Sequence, residues 1–268
     1  MKEGMSFIVR IRNEEKVLEQ SIRSLFSIKI PHEILLVLHL CTDKSKQIAE
    51  ELSKENKNIR IIEYSIPVSR AGYEILCTDK KSVHSFSAYS EWCYDQSIYP
   101  WKFRWDADFI ATNELIDYIN ECSWCEDSTQ SHELYFNAIS PSGVENTERY
   151  ITSGKYSFSK YYFWEMIELI QPVLVLYPGV NIIHQSELSD KKKYWNDIPW
   201  FLDMDYLKNH PEHHEEALTV FYRYLKVVEI CGPEPNGHAR AMNPEDEPVF
   251  FKVKDNIDKL KEFGIHPF

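Results

Sequence analysis

Three short apolar runs, the first two each followed by a helical repeat, constrain this chain more than any other feature. Met5–Arg12 contains Phe7, Ile8, Val9 and Ile11, a run of strand length. Asn13, Glu14 and Glu15 follow, and acidic residues there suit a helix start. Leu18, Ile22, Leu25 and Phe26 then recur at helical spacing, predicting an amphipathic helix over Glu14–Ser27. A second strand is expected over Glu33–Leu40, with Thr42 or Asp43 capping a helix that carries Ile48, Ala49 and Leu52. Ile59–Tyr64 is the third strand. Strands apolar on both faces that alternate with helices predict a parallel sheet covered on two sides.

Val83, Phe86, Ser90, Cys93 and Ser97 suggest a further helix, and Trp101–Trp105 a fourth strand that runs straight into Asp106-Ala107-Asp108. Asn113 is placed to cap a helix bearing Leu115, Ile116 and Ile119. The second half is less regular. His132–Ile139, Pro172–Tyr177 and Val180–His184 read as strands, and Pro199–Lys208, Pro211–Val228 and Asp255–Phe263 as helices, with Pro211 suited to a first turn. Gly232–Pro248 reads as a loop. The expected organisation is one α/β domain over 1–197 and a helical extension over 198–268 packed on it.

Bulk properties narrow the partners. A net charge of −12 disfavours a phosphate backbone, no basic stripe offsets it, and Lys191–Lys193 reads as a solvated turn. An acidic chain can still take a nucleotide diphosphate when a divalent cation stands between them. No run approaches the roughly 18–20 apolar residues of a membrane span, so no transmembrane anchor is expected. A polar run begins by Arg10, so no signal peptide is expected either. The six cysteines are scattered, and Cys122 and Cys125 lack two further ligands at zinc-site spacing. Reduced thiols in a cytoplasmic protein, with peripheral membrane association left open, are the expectation.

In an open parallel sheet, ligands bind beyond the carboxyl ends of the strands. Three segments converge there: Arg12-Asn13-Glu14, His39 to Asp43, and Asp106-Ala107-Asp108. Two carboxylates separated by one residue can turn toward the same hard cation, and Mg²⁺ or Mn²⁺ bridges readily to phosphate oxygens. Such an ion neutralises charge on a departing diphosphate. With fourteen aspartates, about one Asp-x-Asp arises by chance. A second copy, Asp203-Met204-Asp205, falls in a predicted helix and reads as structure.

Phe7-Ile8-Val9-Arg10-Ile11-Arg12-Asn13-Glu14-Glu15, Glu33–Leu40 with Cys41-Thr42-Asp43, Arg70-Ala71-Gly72 and Trp105-Asp106-Ala107-Asp108 follow one another in the order and spacing of a known family. On these residues the chain resembles family 2 glycosyltransferases of the GT-A fold. The resemblance covers about the first 120 residues. It implies a Rossmann-like, mostly parallel α/β sheet flanked by helices, with a helical C-terminal segment. It further implies transfer of a sugar, with inversion, from a nucleotide-diphosphate donor such as a UDP- or GDP-sugar to a hydroxyl of a glycan, lipid or protein. Arg12, Asn13, Glu14, His39, Asp43, Arg70 and Asp106 are the implied donor-binding residues, and Asp106 and Asp108 the implied holders of Mn²⁺ or Mg²⁺, with His184 completing that shell or touching the diphosphate; a buried, satisfied histidine is the other reading of His184 and stays open. The chain departs from the family at Leu38-His39-Leu40, where a base- or ribose-contacting aspartate is usual. Two readings of His39 stay open, a contact to the base and a satisfied strand-end histidine.

An inverting enzyme needs a base for the acceptor hydroxyl. Glu165 and Glu168 stand where the family often places an acidic motif, and on a helix their spacing would put them on one face. Glu165 is preferred because Trp164 beside it could stack on a sugar ring; a solvated helix surface is the alternative. His210, His213 and His214 lie among Glu212, Glu215 and Glu216 and read as solvated surface. Gly232–Gly237 with His238 and Arg240 could form a lid. Two rivals remain: a non-catalytic nucleotide-sugar-binding module, kept open by the missing second-strand aspartate, and a nucleotidyltransferase. The latter ranks lower because the Arg10–Glu15 turn has no glycine to cradle a triphosphate.

Overall fold

The computed structural model describes residues 4–121, 131–143, 147–161, 164–170, 173–185, 188, 197–234 and 247–267. The chain divides into two compact units built from discontinuous segments. The first comprises Met1–Ser65, Cys93–Tyr156 and Leu169–Asp190; the second comprises Ile66–Trp92, Ser157–Glu168 and Lys191–Phe268.

The first unit is organised by one mixed sheet. β1 (Met5–Ile11) pairs in parallel with β2 (His32–His39) on one side and with β4 (Trp101–Asp106) on the other, and β3 (Ile59–Tyr64) extends the parallel array beyond β2. β1 is buried along nearly its whole length and β2 along all of it, as both-face coverage requires. β4 alternates instead. Trp101, Phe103 and Trp105 are fully buried, while Lys102, Arg104 and Asp106 lie on the other face and keep partial access to water.

β7 (Thr147–Ser153) runs antiparallel beside β4 and then beside β6 (Ser131–Ile139). β10 (Val173–Leu176) and β11 (Asn181–His184) pair in parallel with successive stretches of β6. β5 (Phe109–Ala111) closes the order, antiparallel to β11. The result is a mostly parallel α/β sheet with helices α1 (Leu18–Ser24), α2 (Ser45–Glu55) and α5 (Asn113–Glu121) packed on it, the architecture the resemblance implied. The aromatic centre, Phe7, Phe103, Trp105 and Phe136, packs at ring-centroid distances of 5.3–6.0 Å. The one polar atom of Trp105 is satisfied, its indole N–H donating to Ser21 Oγ at 2.9 Å.

The second unit holds α3 (Tyr73–Cys77), the two-stranded sheet of β8 (Tyr156–Tyr161) and β9 (Trp164–Leu169), and the C-terminal helices α6 (Met204–Asn209), α7 (His214–Cys231), α8 (Glu247–Asp255) and α9 (Ile257–Glu262). The helix α4 (Phe86–Asp95) starts in this unit. Its own core gathers Tyr73, Trp200, Phe201, Val220, Val227 and Leu260.

Several expectations shift. Glu165 and Glu168 lie on the strand β9, where a spacing of three places them on opposite faces, so Glu165 is buried and Glu168 exposed. The run around them is rich in aromatic and branched residues, and pairing with β8 overrides the helical reading. Asn113 is a helical residue, and the cap is Thr112, whose Oγ1 accepts from Leu115 N at 3.1 Å. The expected helix over Pro199–Lys208 is split into a 3-10 turn at Trp200–Leu202 and α6. The loop expected through Pro248 ends earlier, since α8 begins at Glu247. Cys122, Cys125, Lys191–Lys193, His238 and Arg240 lie outside the described residues. Among the described residues no helix is long and apolar enough to cross a membrane.

Candidate donor and metal site

The carboxyl edge of the sheet is built from two turns locked to each other. Asn13, two residues past β1, has φ of 57° and Leu40, the residue after β2, has φ of 48°, both in the left-handed region that costs a non-glycine residue energy. Hydrogen bonds hold that geometry. Asn13 Oδ1 accepts from Thr42 N at 2.8 Å and from Asp43 N at 3.3 Å, and Asn13 Nδ2 donates to Thr42 Oγ1 at 3.2 Å. Asp43 Oδ1 accepts from Ser45 N at 2.9 Å and its Oδ2 from Glu15 N at 3.0 Å. Glu14 donates its N–H to Ser45 Oγ at 2.8 Å, and Lys44 N donates to Glu15 Oε2 at 3.1 Å. Burial works to raise the Asp43 carboxyl, but the donors at Ser45 and Glu15 outweigh it and hold the group below its ordinary range.

Asn13 and Asp43 therefore act first as a clamp between the two turns. A carboxylate offers about four acceptor sites, so Asp43 keeps capacity for a further donor. His39 is buried at the end of β2, its ring meeting Tyr64 of β3 edge-on at 5.9 Å. Arg12 is half-buried just past β1.

Asp106 stands at the end of β4, in register with Arg10 of β1. Strand alternation puts Arg104 on the same face, its Nε 3.8 Å from Asp106 Oδ1. Arg149 on β7 approaches from the neighbouring strand, with a guanidinium nitrogen 3.2 Å from Asp106 Oδ2, and lies over the Phe109 ring at 5.0 Å. Burial works to raise the Asp106 carboxyl; Arg104, Arg149 and Arg10 overcome it and hold the group below the usual aspartate range. Two residues on, Asp108 pairs with His184 Nε2 through its Oδ2 at 3.2 Å, and its carbonyl accepts from Gln185 N at 2.8 Å. The antiparallel pairing of β11 with β5 sets His184 opposite Phe109 and so brings it to Asp108.

The edge thus brings Asp106, Asp108 and His184 into the first unit together with Arg12, Asn13, Glu14, His39 and Asp43. The donor set of two carboxylates and one imidazole fits Mn²⁺ chemically. The three do not form a cluster with every ligand atom within 4.8 Å of the others; such clusters among the described residues lie elsewhere. The physical reason is that Asp106 leans on arginine cations while Asp108 faces His184.

Arg149 and Arg104 escaped the sequence reading. Arg104 was legible, since a strand residue two before Asp106 must share its face. Arg149 was not, because β7 was not recognised as a strand.

Arg70, Glu165 and Glu168 belong to the second unit. Arg70 is ion-paired with the buried Glu74, donates its backbone N–H to that carboxylate at 3.0 Å, and reaches Asp197 O at 2.9 Å. Glu165 is buried on β9, and Glu168 Oε1 accepts from Ser159 Oγ at 2.9 Å. The other Asp-x-Asp is structural in detail: Asp203 caps α6, its Oδ1 accepting from Tyr206 N at 3.0 Å.

Residues 6–66 match the family model of glycosyl transferase family 2. The resemblance read from the sequence is borne out over β1, α1, β2, α2 and β3, with both locked turns inside the family 2 segment and Asp106 and Asp108 beyond it. No curated protein sequence matches the chain. Among solved structures, residues 1–349 of S. aureus TarS align at 13% identity and a TM-score of 0.47, covering 97% of this chain and 83% of that one. The mannosyltransferase PcManGT from Pyrobaculum calidifontis, in complex with GDP-Man and Mn²⁺, aligns at 12% identity and 0.46, covering 98% and 88%. Glucosyl-3-phosphoglycerate synthase from Mycobacterium tuberculosis, with Mn²⁺, UDP and phosphoglyceric acid, aligns at 12% and 0.40 over 68% and 71%. All three scores fall below 0.5.

Proposed function

We propose that the chain is a glycosyltransferase that moves a sugar from a UDP- or GDP-sugar to an acceptor hydroxyl with the help of Mn²⁺ or Mg²⁺. The observation that carries this reading is the sheet edge itself. The two turns of the family 2 segment, the Asp108–His184 pair and an arginine-flanked Asp106 all stand beyond the carboxyl ends of parallel strands. A nucleotide laid along that edge meets Arg12, Asn13, Glu14, His39 and Asp43 at its nucleoside and Asp106 and Asp108 at its diphosphate. Asp106, Asp108 and His184 are the residues to hold the metal, which when bound supplies neutralisation of charge on the departing diphosphate. Arg104 and Arg149 keep Asp106 anionic and can also face the phosphates.

Glu165 is the residue assigned to take the proton of the acceptor hydroxyl, and inversion follows if that hydroxyl attacks the anomeric carbon directly. Its burial favours it over the exposed Glu168. Arg70, tied to Glu74, is assigned to the donor only through the resemblance.

The deciding experiment is a calorimetric titration of UDP- and GDP-sugars with and without Mn²⁺, on the wild type and on Asp106→Asn/Asp108→Asn. Binding that needs both the metal and the two aspartates supports the reading and identifies the base. Binding indifferent to them removes the metal from this edge, and tight binding with no hydrolysis or transfer leaves a nucleotide-sugar-binding module.

A further inference from the structure

A second constellation of metal-ligand type lies wholly in the second unit and uses none of the residues assigned above. His84 precedes α4, His213 is the residue before α7, and Glu216 lies in the first turn of α7. The ligand atoms of His84, His213 and Glu216 all lie within 4.8 Å of one another. The spacing of His213 and Glu216 places both side chains on one face at the helix start.

His84 is the anchor. Its side chain is fully buried, and its ring stacks on Trp200 at 3.7 Å with planes 8° apart. Nδ1 lies 2.7 Å from Pro67 O, an acceptor, so Nδ1 carries the proton and Nε2 is left with a lone pair. That Nε2 is buried and has no hydrogen-bond partner among the described residues. Glu216 Oε1 is in the same condition. Two buried acceptors, close together and both without a donor, are costly unless a cation serves them.

The supporting shell is in place. Trp200 Nε1 donates to Ser69 Oγ at 3.0 Å, Ser69 N donates to His84 O at 2.8 Å, and His84 N donates to Ser82 Oγ at 3.0 Å. A ring whose second nitrogen is fixed on a backbone carbonyl is the usual support for a metal-bound imidazole. His213 meets His84 at 4.6 Å between ring centroids and 82° between planes, so the rings converge without stacking.

We infer that His84 Nε2, His213 and Glu216 form a Zn²⁺ site with its fourth position open to water. Two imidazoles and one carboxylate match zinc rather than Mg²⁺ or Ca²⁺, which prefer all-oxygen sets. Zinc bonds of about 2.0–2.2 Å draw tetrahedral donors closer than 4.8 Å, so His213 and Glu216 close slightly onto His84. The ion would join the segment before α4 to the start of α7. The histidines read from sequence as solvated surface thus divide. His210 stays at the surface beside Glu212 at 3.2 Å, His214 bonds Leu207 O at 2.7 Å, and His213 turns inward.

The test uses the full chain carrying Asp106→Asn/Asp108→Asn, which removes the sheet-edge aspartates. Isothermal titration with ZnCl₂ is expected to show one equivalent bound, with a rise in Tm that a chelator reverses. Co²⁺ in its place is expected to give the visible absorption of a tetrahedral site. Glu216→Gln and His213→Gln, both at partly exposed residues, are each expected to weaken binding at least about tenfold, with circular dichroism unchanged. His210→Gln is expected to leave affinity as it was. No stoichiometric Zn²⁺ on the folded chain overturns the inference. So does binding lost in His210→Gln but kept in Glu216→Gln, which would put the ion at the exposed His210–Glu212–His213 cluster.

Discussion

The chain contains Asp-x-Asp twice, and the two copies behave as different chemistry. Asp106-Ala107-Asp108 follows a central parallel strand. Its first carboxylate is flanked by Arg104 and Arg149, and its second faces His184. Asp203-Met204-Asp205 opens a short helix, where Asp203 spends its carboxylate on Tyr206 N as a cap. The same Asp-x-Asp pattern is thus a candidate ligand pair at a strand end and a backbone cap at a helix start. What distinguishes them is the supply of donors. A helix start offers its own unpaired N–H groups within reach of the acid, whereas a strand end leaves the acid to whatever neighbouring strands bring.

That comparison can be broken most decisively at the acids themselves. Asp106→Asn/Asp108→Asn is expected to reduce metal-dependent sugar transfer by about 10²-fold or more, measured as kcat/KM on a nucleotide sugar, with Asp203→Asn left close to wild type. Equal losses at both sites would erase the distinction. A smaller effect is expected from His184→Gln, about 10–100-fold in Mn²⁺ affinity, because it leaves both carboxylates in place; Mn²⁺ titration followed by electron paramagnetic resonance measures it. Asp203→Ala is expected to cost about 1 kcal/mol of stability by denaturant titration, as loss of a helix cap does, with nucleotide binding untouched.

The smallest effect concerns a half-buried cation of the second unit. Lys160 Nζ donates to Leu76 O at 3.0 Å and to Thr78 O at 2.8 Å. Burial pushes Lys160 down to about 8. Between pH 8 and the ordinary lysine range the unfolded chain therefore binds the extra proton, and this residue makes stability rise with pH. Lys160→Met is expected to remove that rise from a series of denaturant titrations across the window. A slope that survives the substitution would assign it to another group.

Legibility followed the same line as the comparison. β1, β2 and α2 were readable because parallel strands buried on both faces write continuous apolar runs, and the helix carries a clean 3.6-residue period. The turns after β1 and β2 were readable as places, and their mutual locking through Asn13 and Asp43 was not. Glu165 and Glu168 were given a shared helical face and instead sit on opposite faces of β9. A short aromatic-rich run does not separate strand from helix until its partner β8 is known. His213 was grouped with its exposed neighbours because local charge pattern says nothing of the distant His84 that it meets.

By itself the sequence determined the alternation of strands and helices, the family 2 segment, and the arrival of Asp106 and Asp108 at a strand end. These depend on residues close in the chain, where period, burial and turn chemistry act. Only the tertiary structure decided that Arg149 crosses from β7 to hold Asp106, that His184 faces Asp108, and that His84, His213 and Glu216 converge. Each of those contacts joins segments far apart in sequence, and no local propensity encodes a pairing that exists only once separate elements have packed.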